Sequence, residues 1–387
     1  MLHRLLVVLV GLVLLGSAVP VFDAGASAPP GVACGQTITA SVVLHVDLTC
    51  SGDGLTIAAS SVTVQLHGHT ITSTSGTGAG IRILLPLAPG SVPCPDDVVI
   101  RGGTISGFAT AIDALCSPLG GSGNRISAMR LIDNEWGIAS QQIALDVDHT
   151  TIEGTNGIGS RSSGELRLRR LRIDVTGTSV QSAGTSMPTT IDASRLTGGT
   201  LETDLNSTTV SRSVLDGVTI ECFTAALAIS DTRVVGGGGI WGQECANDLV
   251  RDRFSGPGSG TAVSDAGSEP WTITDSRFTG WDLAIALGGD PSTITSNVFR
   301  RNGAGVICAT GQCAGVSGTV SGNWFIDNRG AGLSLSDGTW HVGSNRAERN
   351  GGLGIDAEGP DLTVIDDGGN IARRNQPPQC VGVVCAT

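Results

Sequence analysis

The string Ser194-Arg195-Leu196-Thr197-Gly198 returns, class for class, as Ser276-Arg277-Phe278-Thr279-Gly280. Each runs small polar, arginine, apolar, threonine, glycine. Working outward from these two strings, an apolar anchor recurs at Ile105, Leu131, Ile152, Ile173, Leu196, Leu215, Val234, Phe254, Phe278, Phe299, Phe325 and Ala347. The series covers 242 residues in eleven steps, a mean of 22. A second series, Ile81, Ile112, Ile138, Ile158, Ile240, Val263, Ile285, Val306, Leu333 and Ile355, follows a Gly or Ala each time and blurs between Val180 and Ile240. The repeat lacks a 3.6-residue pattern and consists of short β-rich runs parted by Gly, Asn, Asp and Ser, which marks a solenoid of strands with one coil per repeat.

Coils stacked at the strand spacing of about 4.8 Å predict a rod of about fourteen coils, on the order of 65 Å long. Inward residues then stack on their own kind, which explains the register of Ile, Val, Leu and Phe. Two residues before the anchor stand Ser194, Ser213, Thr232 and Ser276, then Asn297, Asn323 and Asn345. Small polar groups at one turn can hydrogen-bond along the rod and satisfy buried backbone there. The ten cysteines suggest five neighbour pairs: Cys34 with Cys50, Cys94 with Cys116, Cys222 with Cys245, Cys308 with Cys313, and Cys380 with Cys385. Order alone does not prove the pairing. Separations of 22 and 23 for the second and third pairs nevertheless equal one coil, which brings Cα atoms within the roughly 7 Å a bridge needs.

Compartment is read from the first residues. His3 and Arg4 precede an apolar run, Leu5 to Leu15, and small residues suited to cleavage after Ala26 follow. A signal peptide over 1–26 and a secreted, extracellular protein are expected. The run falls short of the roughly 20 residues a membrane span needs, and no later segment supplies one. Clustered Cys-x-x-Cys spacings, which a zinc site would need, do not occur. With 35 acidic against 23 basic residues, none of the latter a lysine, the chain is a poor partner for nucleic acid or anionic membranes. Fifty-seven glycines and no tyrosine exclude an ordinary aromatic-rich core.

The strings Gly54-Leu55-Thr56-Ile57, Val62-Thr63-Val64-Gln65-Leu66-His67-Gly68-His69-Thr70-Ile71 and Ser296-Asn297-Val298-Phe299-Arg300-Arg301-Asn302-Gly303 with Gly305-Val306 resemble the pectate-lyase-like right-handed parallel β-helix superfamily, in particular exported bacterial repeat proteins. The resemblance covers roughly Cys34 to the C-terminus. It implies an all-β right-handed parallel β-helix over 53–376, an N-terminal cap over 27–52 and a disulfide-stapled tail over 377–387. It also implies a first functional class to test: polysaccharide lyases, hydrolases and epimerases. Such lyases combine calcium-binding carboxylates with an Arg or Lys base, and the hydrolases pair acidic residues.

Three groups of residues bear on chemistry. In Leu145-Asp146-Val147-Asp148-His149, alternation puts Asp146 and Asp148 on one outward face if Val147 points in. Aligned by anchors, Arg125, Asp146 and Arg167 share one column, and Ser127, Asp148, Arg169 and Asp192 the next. These are the candidate catalytic residues Asp146, Asp148 and Arg169, able to bind an acidic sugar or calcium; the competing reading is an exposed ladder of opposite charges. An arginine normally stays protonated, so Arg169 is a demanding base. The second group is an arginine stripe just before the anchors, Arg130, Arg172, Arg195, Arg233, Arg253, Arg277 and Arg346, interrupted by Thr151, Val214, Val298 and Trp324. Arg277, Trp324 and Arg346 are its candidate substrate-binding residues for an acidic polysaccharide; the competing reading has Asp231, Asp252 and Asp275 neutralise the stripe. Trp241 is expected outward, and Trp271 and Trp340 in the core.

The third group is weakest. His67 and His69 stand two apart, but an isolated His-Gly-His is more often incidental than a metal site, and the chain shows none of the Met and His clustering that copper handling requires. The outward residues read from the Gly-Ile series, Arg82, Asp113, Ala139, Gly159, Gln181, Trp241, Ser264, Ala286, Ile307, Ser334 and Asp356, form no compact acidic cluster. The Asp-Pro-His-Asp pattern of mannuronan epimerases and the Gly-His-Gly of polygalacturonases are missing as well. The expected function is therefore an extracellular β-helix that binds or processes carbohydrate, against the alternative of a non-catalytic structural or adhesin-like rod.

Overall fold

The computed structural model describes residues 31–84, 94–116, 121–161, 164–184, 188–267, 269–289, 292–309 and 311–387. The segment read as a signal peptide, 1–26, lies outside them. From Val32 to Thr387 the chain is a single unit.

Its coils follow one plan. In one of them a first strand, Thr189–Asp192, turns at Ala193 into a second strand, Arg195–Thr197, and then into a third, Thr200–Asp204, which ends at Leu205. Alternation along each strand sends Ile191, Leu196 and Leu201 inward, all fully buried. Each strand pairs in parallel with its equivalent one coil on, as Arg195, Leu196 and Thr197 do with Val214, Leu215 and Asp216. The corner between the first and second strands is a single residue in the left-handed region: His149, Arg170, Ala193, Arg212, Asp231, Arg251, Asp275 and Ser296 have φ between 46 and 60°. Side chains other than Gly resist this conformation. Here each corner N–H is tied to the next coil: Arg170 N donates to Asp192 O, Asp231 N to Val250 O and Arg251 N to Thr274 O.

The second-strand anchors form one column from Leu48 and Ile71 through the twelve positions named above to Ala372, giving about 15 turns. Phe254, Phe278, Phe299 and Phe325 stack in it with ring centroids 4.6, 5.1 and 4.9 Å apart. The third-strand column is also continuous. Val180, Leu201 and Ile220 fill the stretch where the sequence series blurs. The segment read as a cap contributes Gln36–Ile38, Val42–Val43 and Leu48–Cys50, each in register with the following coil. At the other end Cys380–Val381 pairs with Ile355–Asp356, and Cys385–Ala386 with Asn370–Ile371.

The small polar residues form a hydrogen-bonded ladder. Ser194 N donates to Ser213 Oγ, Ser276 N to Asn297 Oδ1, Asn297 N to Asn323 Oδ1, Asn323 N to Asn345 Oδ1 and Asn345 N to Asn370 Oδ1. A second ladder, Asn302, Asn328, Asn350 and Asn375, runs beside the Phe stack and ends on Gln379. All five cysteine pairs are disulfides, with Cα separations of 5.6 to 6.3 Å. Cys222 lies opposite Gly242, three residues before Cys245, so that bridge joins neighbouring coils.

Candidate functional site

The arginine stripe is one column in space. Arg130, Thr151, Arg172, Arg195, Val214, Arg233, Arg253, Arg277, Val298, Trp324 and Arg346 are successive partners on the outer side of the second strand. Each sits one residue before an inward anchor, so its side chain points to solvent. Part of the column is neutralised: Arg195 pairs with Asp216 at 2.6 Å, Arg172 meets Asp174 at 4.0 Å, and Arg346 pairs with Glu348 at 2.6 Å. Its middle is not. Arg233, Arg253 and Arg277 are three consecutive in-register members, and among the described residues no acidic side chain comes within ion-pair distance of any of them.

The three aspartates expected to neutralise the stripe do other things. Asp231 forms a two-point pair with the corner residue Arg251, both contacts 2.8 Å, and that guanidinium holds its carboxyl below the usual range. Asp252 is buried in the polar ladder, and among the described residues Asp275 makes no ion pair. None of the three aspartates pairs directly with the triple, although all three line the same groove; the alternation that turns Arg251 and Arg253 outward turns Asp252 inward. The column and its corner line a groove of about 770 Å³ over Arg233, Arg253 and Arg277, with Ser255 and Thr279 on its far side.

Trp324, two places further along the column, is 39% exposed, with the Arg346 guanidinium 5.6 Å from its ring centroid. The column thus continues into an aromatic surface held from one side by a cation. Arg300 and Arg301 follow Phe299 on the neighbouring positions, and Arg300 lies 3.7 Å from Asp327.

The Asp146 and Asp148 columns have the expected register: Arg125, Asp146, Arg167 in one, Ser127, Asp148, Arg169, Asp192 in the other. One ion pair, Arg125–Asp146 at 3.4 Å, lies within a column, and the shorter ones run diagonally. Arg169 donates to both oxygens of Asp146, at 3.0 and 2.7 Å, while Asp148 accepts from Arg170 at 2.9 and 2.7 Å and meets His149 Nδ1 at 3.0 Å. The hydrogen bond to Asp146 raises the Arg169 pKa above its ordinary value, opposite to what a base requires. With both carboxylates committed to cations, the donor set does not fit calcium, and among the described residues no three His, Cys, Asp or Glu side chains gather as a metal site. His69 is bonded to Asp47 at 3.1 Å.

The third strand holds two outward residues that the sequence pattern concealed, Glu202 and Glu221, between Gln181 and Trp241, which it showed. Gln181, Glu202, Glu221 and Trp241 are consecutive on its outer side, with Gln181 Nε2 donating to Glu202 Oε2 at 2.9 Å and Phe223 edge-on to Trp241. Glu202 and Glu221 fall where the second apolar series was lost. Trp241 is 38% exposed, and Trp271 and Trp340 are in the core, as expected. Trp281 is buried too.

Residues 259–385 match the family model described as "Right handed beta helix region". Together with the parallel stack of about 15 turns, this makes the chain a right-handed parallel β-helix repeat protein. No curated protein and no solved structure matches it.

Proposed function

We propose that this chain is an extracellular binding protein for an acidic polysaccharide, which lies along the second-strand face from Arg233 to Arg346. One observation carries the reading. Arg233, Arg253 and Arg277 stack in register without acidic partners, although the chain has a formal net charge of -12. Like charges directly opposite one another on neighbouring strands are destabilising, and among the described residues the three arginines have no direct ion pair to offset it, so an anionic partner would be favoured there. Five column steps at about 4.8 Å carry the face from Arg233 to Arg346, a length of about 24 Å that suits a polymer better than a single sugar. Trp324 supplies a surface for a sugar ring, with Arg346, itself paired with Glu348, against one side of it and Arg277, unpaired among the described residues, two column steps away. The disulfides fit an oxidising, extracellular setting.

The second reading is a non-catalytic structural or adhesin-like rod. It is favoured by the closed ion pairs of Asp146, Asp148 and Arg169, which leave no free acid or base there. Titration calorimetry of the purified protein against polygalacturonate, alginate, dextran sulfate, neutral dextran and duplex DNA separates the two. We expect binding to one or more acidic polysaccharides and none to neutral dextran. R253Q/R277Q should bind about tenfold or more weakly, since hydrogen bonds to charged groups contribute on the order of 1.5 kcal/mol or more each. Silence across the acidic polysaccharides would leave the structural rod.

A further inference from the structure

We propose that anion binding in the arginine groove is coupled to uptake of a proton by Asp252, whose carboxyl group is buried beneath the column. The inference rests on the binding role proposed above and assigns its regulation.

Asp252 occupies a rung of the polar ladder that neighbouring coils fill with neutral Ser194, Ser213, Thr232, Ser276 and Asn297. It is 1% exposed. One oxygen, Oδ1, accepts from Thr232 N at 2.8 Å, and its own N donates to Ser276 Oγ at 3.0 Å. The other, Oδ2, is buried and has no partner. On the adjacent rungs the side chain is acceptor and donor at once. Thr232 Oγ1 donates to Ser230 O and Ser276 Oγ to Thr274 O, each two residues back, while accepting from the preceding coil. A carboxylate can only accept, whereas a carboxylic acid does both. Burial pushes this carboxyl up to about 7, outweighing the backbone hydrogen bonds from Thr232 and Val250 that favour the ionised form, and only the protonated form can donate as the neighbouring rungs do.

The charges around Asp252 belong to the groove. Arg251 and Arg253 flank it in its own coil, Asp231 and Arg233 stand in the coil before, and Asp275 and Arg277 in the coil after. Arg212 acts on Asp231 from one coil further away. With Asp252 ionised, the groove's four guanidinium groups face three carboxylates, leaving one net positive charge; with Asp252 protonated the net charge is two. An anion that favours the second state must raise the proton affinity of Asp252, and the proton must raise the affinity for the anion by the same factor. His149, the corner histidine of the same column of corners, lies several coils away and faces Asp148.

Dextran sulfate is the probe, because its sulfates stay ionised across the range. Calorimetry at constant ionic strength, at about pH 6 and about pH 8.5 on either side of the Asp252 transition, should show the wild type binding about fivefold more tightly at the lower pH. In two buffers of different ionisation enthalpy near neutral pH, the wild type should take up protons on binding. D252N, which restores a donor and an acceptor to the rung, should bind at both pH values with the wild type's low-pH affinity and take up no proton. A pH-independent wild-type affinity without proton uptake would overturn the coupling, as would a D252N protein that keeps the wild-type pH response. Absence of binding at both pH values, or binding untouched by R253Q/R277Q, would instead overturn the groove as the binding site and the coupling with it.

Discussion

A carboxyl group held on a rung built for neutral donors also affects stability without any ligand. Asp252 keeps its proton in the folded chain up to about pH 7, whereas an ordinary Asp releases it near 3.8. Between these limits the folded state binds more protons at Asp252 than the unfolded one, so the contribution of Asp252 to stability is full below about pH 4 and is lost as pH rises through about 7. The loss amounts to roughly 4 kcal/mol at most, from a shift of about three pKa units. Asp113 and Asp356 are raised by burial and act in the same direction; Asp148, Asp192, Asp231 and Asp327 are lowered, and their contribution disappears only on acidification below the ordinary Asp range. D252N should therefore melt at a higher temperature than wild type at pH 8 and close to it at pH 5, as read by circular dichroism. An unchanged difference at the two pH values would show that ionisation of Asp252 is not the cause. The run Arg251-Asp252-Arg253 reads as a solvated charge cluster because Asp is seldom buried. Only the rung spacing, which places Asp252 between Thr232 and Ser276, reveals that its middle residue points inward.

At the scale of elements, the rod is held along its length by ladders whose rungs depend on one another. Asn323 accepts from Asn297 N at 2.9 Å and donates through Nδ2 to Ile294 O at 2.7 Å and Asn345 Oδ1 at 3.1 Å, all buried. N323A would strand the Asn297 N–H and the Ile294 carbonyl, at a cost of roughly 2–4 kcal/mol. N323S should recover part of that loss, because serine serves the same rung at Ser276 and Ser213. Chemical denaturation of the three proteins checks the order; equal stability of N323A and N323S would mean that the polar contact is not what matters there. The ladder through Asn297, Asn323 and Asn345 and the anchor column were legible because they repeat every coil, and the disulfide pairs from cysteine order, with two separations equal to one coil; the second ladder, Asn302 to Asn375, was not read. The third strand faded where Ser179, Thr200 and Thr219 replace the Gly or Ala that precedes the inward residue elsewhere, in coils only 19 residues apart at Leu196, Leu215 and Val234. That substitution concealed Glu202 and Glu221. The arginine column was visible as a pattern, but which members are neutralised was not. Pairing is decided by the corner residues Asp231 and Arg251, whose direction depends on a left-handed turn.

Over the whole molecule, a coil's backbone pairs only with the coils before and after it among the described residues, so stability is close to a sum of nearest-neighbour terms and the end coils have one neighbour instead of two. The Arg329–Asp282 ion pair at 2.6 Å is a side-chain contact that skips a coil. Both ends are also where strands are shortest: Val42–Val43 at one, Cys380–Val381 and Cys385–Ala386 at the other. The Cys34–Cys50 and Cys380–Cys385 bridges restrain these segments, and their sulfur-bearing residues, apart from Cys50, are exposed or half-buried. Cys222 and Cys245 are fully buried in the middle of the rod. A mild reductant should therefore open the terminal bridges first. Hydrogen exchange should then accelerate by on the order of tenfold or more in Gln36–Ile57 and in 370–387, while amides from Leu196 to Phe325 keep their protection. The stacked Phe column from Phe254 to Phe325, with two buried Asn ladders beside it, gives that central stretch its higher local stability. Uniform acceleration along the chain would show instead that the coils open as one cooperative unit, and that the terminal staples act on the whole rod rather than on its ends.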